Sequence, residues 1–160
     1  MPTLVPELTV VDFEVSLAFY RILGWQVVYD RPDEQFAYLR LGGADLMIDG
    51  LQVGRNFDAT LTPGDRPFGR GVNLEITVPD IAPLLAALDG LTLALPPEEK
   101  WYRAGDHEIG VRQFVVADPD GYLLRFSQAL GTRPFPSDHD RPKLHAPEAS
   151  PPKSPRAHAP

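Results

Sequence analysis

The octapeptides VPELTVVD (5–12) and NLEITVPD (73–80) open the two halves of the chain on one pattern. In each, apolar residues alternate with polar ones, the period of a half-buried strand. An aspartate closes each run, Asp12 in the first and Asp80 in the second, where a helix N-cap belongs. The copies are offset by 68 residues at both ends. The helical segments after them are alike too. Phe13, Leu17 and Tyr20 fall at i, i+4 and i+7, and Gly24 supplies a stop. Ile81, Leu84, Leu85 and Leu88 make the matching face of a second helix, which Gly90 ends and whose first turn tolerates Pro83.

After each helix come three strand-like runs: WQVVYD (25–30), FAYLRL (36–41) and ADLMID (44–49), then LTLAL (91–95), VRQFVVA (111–117) and YLLRFSQ (122–128). Phe36 and Phe114 each stand seven residues before a glycine, Gly43 and Gly121, that turns the last hairpin. The intervening stretch PPEEKWYRAGDHEIG (96–110) reads as a long loop or an extended hairpin. The pattern predicts an α+β fold of two tandem βαβββ modules, about 3–50 and 70–130, with curved mixed sheets around a cleft. Alternation sends Pro6, Leu8 and Val10, with Leu74, Ile76 and Val78, toward the helices. Val5, Glu7, Thr9, Asn73, Glu75 and Thr77 face the other way, as do Asp45, Met47, Asp49, Leu123, Arg125 and Ser127.

A chain of 160 residues makes one ordinary domain. Residues 132–160 hold eight of the eighteen prolines and almost no apolar side chain, so they are expected to be a disordered tail after a folded body of 1–131. The net charge is −7. The tail carries five basic and three acidic residues, so the remaining ten basic and nineteen acidic residues leave the body at −9. That balance repels nucleic acid. Cysteine is absent, which excludes disulfides, thiolate metal sites and a cysteine nucleophile. Three of the four histidines, His139, His145 and His158, lie in the tail, leaving His107 in the body. No apolar run approaches the roughly 18 residues of a membrane span, and the N-terminus lacks the order of a signal peptide, so a cytoplasmic protein without a membrane partner is expected.

DFEVSLAFYRILGW (12–25), ADLM (44–47) and VVADPDGYLLRFSQ (115–128), set in a doubled βαβββ frame, resemble the vicinal-oxygen-chelate superfamily, which includes glyoxalases, extradiol dioxygenases and bleomycin-resistance proteins. The bleomycin-binding branch is the most similar. The resemblance covers residues 3–130 and implies four metal positions, on the first and last strand of each repeat. Spacing from Asp12, Gly43, Asp80 and Gly121 lays them on Val5, Met47, Asn73 and Arg125. Valine cannot coordinate, a thioether is soft, one amide is weak and a guanidinium repels a cation, so neither metal nor cofactor is expected. Asp106, His107 and Glu108 are strand neighbours pointing to alternate faces and do not converge.

The resemblance then implies a dimer that sequesters a cationic, partly aromatic small molecule, most simply a bleomycin-family antibiotic. Stacking falls to Phe36, Tyr38, Trp101, Tyr102 and Phe114, and negative charge to Glu7, Glu75, Asp30, Asp33 and Glu99, with Glu98 beside it. Arg125 lines the same cleft. Ile109 stands where bleomycin binders often carry tryptophan. The other reading is a glyoxalase-like lyase or extradiol-type dioxygenase with a displaced metal site. Apart from any metal, Glu7 and Glu75, both expected to face the cleft, could in principle serve as a general acid and base, although polar lining or pairing with Arg125 is the expected role.

Overall fold

A computed structural model describes residues 4–54 and 57–135. The first module runs β1 (Glu7–Val10), α1 (Phe13–Ile22), β2 (Gln26–Arg31), β3 (Phe36–Leu41) and β4 (Ala44–Gly50). The second runs β5 (Asn73–Thr77), α2 (Ala82–Ala87), β6 (Leu95–Ala104), β7 (His107–Ala117) and β8 (Leu123–Pro134). Each module is one four-stranded sheet, ordered β1-β4-β3-β2 and β5-β8-β7-β6. The first strand pairs parallel to the last and the others are antiparallel, so both sheets are mixed and the doubled βαβββ frame is the observed fold.

Both helices form in the segments the sequence marks, but the N-cap residue of α2 is Ile81 rather than the expected Asp80, and Ile81 makes no side-chain cap. Asp12 caps α1, its Oδ1 accepting from Val15 N–H at 3.1 Å, and Phe13, Leu17 and Tyr20 are buried. Asp80 Oδ1 accepts from Ala82 N–H at 2.9 Å, directly ahead of α2. Leu8, Val10, Leu46 and Ile48 of the first sheet and Ile76, Leu124 and Phe126 of the second join both helices in one core. Among the described residues no helix is long and apolar enough to cross a membrane.

Two expectations need correction. LTLAL (91–95) is not a strand: β6 begins only at Leu95 and takes up most of the stretch read as loop or hairpin. It is an edge strand, and Pro96 and Pro97, which donate no ladder hydrogen bond, are compatible with that edge. The expected tail boundary also moves, because β8 continues to Pro134 beside β7; residues 136–160 lie outside the described residues.

The Asp118-Pro119-Asp120-Gly121 turn ties the modules together. Asp120, 1% exposed, accepts from Val11 N–H and Ser16 Oγ–H, each at 3.1 Å. Asp118 Oδ2 accepts from the Tyr20 hydroxyl at 2.9 Å, and the Tyr122 hydroxyl donates to the Thr9 carbonyl at 3.2 Å. The bonds to Asp118 and Asp120 satisfy carboxylates that burial would otherwise make very costly. Burial still dominates at Asp118, pushing its carboxyl up to about 6 against the pull of its hydrogen bonds.

Candidate functional site

The sheet faces turned away from the helices carry the polar and aromatic residues. On the first sheet Glu7 pairs with Met47, Met47 with Tyr38, and Tyr38 with Tyr29. Phe36 lies one step along, between Asp49 and Arg31. The rings of Tyr29 and Tyr38 stack with centroids 5.2 Å apart and planes 20° apart, and Tyr29 meets Phe36 at 5.9 Å. The result is a three-ring platform. One end is anchored by Asp45, which accepts from the Tyr38 hydroxyl at 2.8 Å and from two Arg40 nitrogens at 2.7 Å each. Those Arg40 bonds, with help from Tyr38, hold the Asp45 carboxyl down to about 2. At the other end the Arg31 guanidinium lies 3.8 Å over the Phe36 ring.

Beside the platform is a hollow of about 590 Å³ whose charged lining is Glu7, Glu34, Asp49 and Arg31. Three carboxylates against one guanidinium make this described lining negative. Phe36, Tyr38 and Glu7 of the sequence-predicted set therefore meet on one face. Asp30 and Asp33 do not join them: Asp30 pairs with Ala37 and shares its opposite face, and Asp33 sits in the exposed turn Pro32–Glu34.

Of the predicted residues on the second sheet, Glu75, Tyr102 and Arg125 share one face, whereas Glu99, Trp101 and Phe114 do not. Gln113, 1% exposed, donates from Nε2 to Glu98 Oε1 and to the Tyr102 hydroxyl, each at 2.8 Å. Its Oε1 accepts from Arg125 Nη1 at 3.2 Å, and Ser127 Oγ donates to Glu75 Oε1 at 2.9 Å. Tyr102, Glu75 and Arg125 thus belong to one open face, and Glu98 rather than Glu99 joins them, because Glu99 pairs with Arg112 one step out of phase. Trp101 lies on the reverse side, over Gly110 and under the Arg133 guanidinium at 4.1 Å. Phe114 is fully buried, stacked on Phe126 at 5.4 Å in the core. Neither ring lies on the Gln113 face.

The register shows that the expected metal positions are not strand neighbours of one another. Val5 precedes β1, and the residue beside Met47 is Glu7; likewise the residue beside Arg125 is Glu75, whereas Asn73 pairs with Leu123. First and last strands therefore offer Glu7 with Met47 and Glu75 with Arg125. Glu7 lines the platform hollow, whereas Glu75 lines a separate crevice of about 330 Å³ with Trp25 and Asn73. The two carboxylates share neither cavity. Among the described residues no three His, Cys, Asp or Glu side chains are grouped so that they could hold a metal ion, and the arginine and thioether in the set do not suit a hard divalent cation.

Sequence reasoning missed Tyr29, Arg31, Glu34 and Gln113. A one-residue shift in the β2–β3 register between Val27 and Tyr29 explains the first. Strict alternation would put Tyr29 with Val27 on the helix side; the extra residue turns it to the open face.

No protein-family model matches the chain, and no curated protein sequence does. Among solved structures, a bleomycin-binding protein complexed with bleomycin is 21% identical, covers 80% of this chain and 98% of that one, and superposes with a TM-score of 0.50. A protein from the mobile metagenome of V. Pseudocholerae is 20% identical over 80% of this chain and 95% of that one, with a TM-score of 0.57. Both show the fold alone. A glyoxalase/bleomycin resistance protein/dioxygenase superfamily member from Vibrio splendidus is 38% identical over 79% of this chain and 97% of its own, with a TM-score of 0.36. It is the identity along nearly that whole chain, rather than the superposition, that shows kinship. The chain belongs to the glyoxalase/bleomycin resistance protein/dioxygenase superfamily.

Proposed function

We propose that this protein is a metal-independent binder that sequesters a cationic, partly aromatic small molecule, with a bleomycin-family antibiotic as the first ligand to test. The observation that carries the reading is the Tyr29–Tyr38–Phe36 platform beside a hollow lined by three carboxylates. Stacked rings offer a flat group a face and an edge of matching polarity, and carboxylates at the rim supply the counterion for a positive one. The acidic composition adds long-range attraction for the same kind of ligand. The neighbour whose structure holds bleomycin has the same fold, which supports the choice of probe.

The same reading includes a homodimer. Val28, Tyr29, Tyr102 and Ile109 leave large apolar surface open, between 42% and 49% exposed. A second copy laid against the open sheet faces would cover it and would bring Glu98, Tyr102 and Arg125 of one chain toward the platform of the other.

Calorimetric titration of the full chain with metal-free bleomycin tests the proposal. Saturable heat near one drug per site is expected, and heat no greater than dilution would remove the drug assignment. A stoichiometric divalent metal found by elemental analysis of the purified protein would instead favour the lyase or dioxygenase reading.

A further inference from the structure

The Arg31 guanidinium occupies the face of the platform that a flat ligand needs. Its Cζ lies 3.8 Å from the Phe36 centroid, and Phe36 is only 5% exposed, although Tyr29 on the same face is 49% exposed. Arg31 Nε donates to Glu34 Oε2 at 2.6 Å, with both side chains about half open to solvent, at 46% and 60%. Contacts of this kind are weak individually, because water competes for both charges.

The backbone that carries the pair is seated much more firmly. Gln35 N–H closes the Pro32–Glu34 turn on the Pro32 carbonyl at 2.9 Å, and Gly50 N–H donates to the Gln35 carbonyl at 2.9 Å. Gln35 itself takes a left-handed φ of 51°, which a glutamine adopts only where its surroundings enforce it. Its side chain lies against Gly50 so closely that any Cβ there would collide with it. A fixed segment thus presents a movable ion pair at the rim of the hollow.

We propose that Arg31 and Glu34 form a displaceable cap that selects planar cations: the incoming cation replaces the Arg31 guanidinium on Phe36 and takes Glu34 as its counterion. A neutral ring would forfeit the Arg31 contact without gaining an ion pair. The proposal uses the site of the sequestration reading but assigns it a selector that the reading does not contain.

Proflavine, a planar monocation, titrated into the full chain at low salt is the probe, with 1-naphthoate as its anionic counterpart. Arg31→Gln is expected to bind proflavine about fivefold tighter than the unaltered protein, the size of one exposed cation–π contact. Glu34→Gln is expected to bind it about fivefold weaker. Equal proflavine affinity in Arg31→Gln and the unaltered protein overturns the cap, and so does absence of proflavine binding in both. Naphthoate binding that Arg31→Gln abolishes also overturns it, making Arg31 an anion handle. Both side chains are exposed, and an unchanged thermal midpoint shows that the variants fold. Bleomycin separates the two proposals. No bleomycin heat together with the Arg31→Gln gain removes the drug and keeps the cap, whereas bleomycin heat without that gain removes the cap alone.

Discussion

The Tyr20 hydroxyl shows how much one atom can carry. The ring is fully buried and meets Trp25 edge-on at 5.9 Å, so phenylalanine would preserve the packing. What phenylalanine removes is the donor to Asp118 Oδ2 at 2.9 Å. A buried carboxylate that loses one of its donors keeps its desolvation cost, so Tyr20→Phe should lower unfolding free energy by about 1–2 kcal/mol. Urea unfolding at neutral pH measures it, and a change within error would mean that the bond is not made in solution. At this same scale Tyr29 shows where sequence reading loses its grip. The resemblance points to Phe36, and period two puts Tyr38 on its face and Met47 on the open one; these faces are as expected because β3 and β4 pair without interruption, whereas β2 carries a register shift for which no glycine or proline gives notice. Arg31 and Glu34 escaped for another reason: a side chain that folds back over a ring has no periodicity.

At the scale of elements, the Asp118–Gly121 turn was legible as a turn but not as a tie, since nothing local says which distant donors will satisfy two aspartates. Its electrostatics make a prediction of unusual sign. The folded state binds the Asp118 proton more tightly than the unfolded chain does, because burial raises that carboxyl to about 6 from an ordinary value of 3.8. This group therefore adds stability as pH falls through 6, and the gain ends below about 4, where the unfolded chain is protonated as well. Relative to Asp118→Asn, the unaltered protein should gain about 2 kcal/mol between pH 7 and pH 4.5. Denaturant midpoints of the two proteins measured in parallel check this, and parallel pH profiles would show that Asp118 does not titrate there. The comparison isolates the group, because Asp45, Asp58, Asp65 and Asp106 are shifted downward and act in the opposite sense at lower pH.

The whole molecule was the most legible level. Two offset copies of one pattern were enough to fix the number of modules, the strand count in each and the helix faces, because binary patterning is written into every element. The spatial relation of the open faces was not legible. Nothing in Glu7 or Glu75 says which cavity each will line, and the chain places them in different ones. The exposed Val28, Tyr29, Tyr102 and Ile109 lead to a prediction here: light scattering at micromolar concentration should give twice the 17.7 kDa chain mass. A monomer at all accessible concentrations would leave the two half-faces unassembled and withdraw the shared site.

The polar ties between Val11, Ser16 or Tyr20 and the Asp118–Gly121 turn join residues 98 to 109 positions apart. During synthesis the first module leaves the ribosome long before Asp118 and Asp120 exist. Until then the Val11 amide and the Ser16 and Tyr20 hydroxyls must take water as their partner, and the helix face they adjoin lacks its neighbour. The nascent first half is thus a waiting state, and these ties can form only once the turn has emerged, 98 to 109 residues after the groups it will bind.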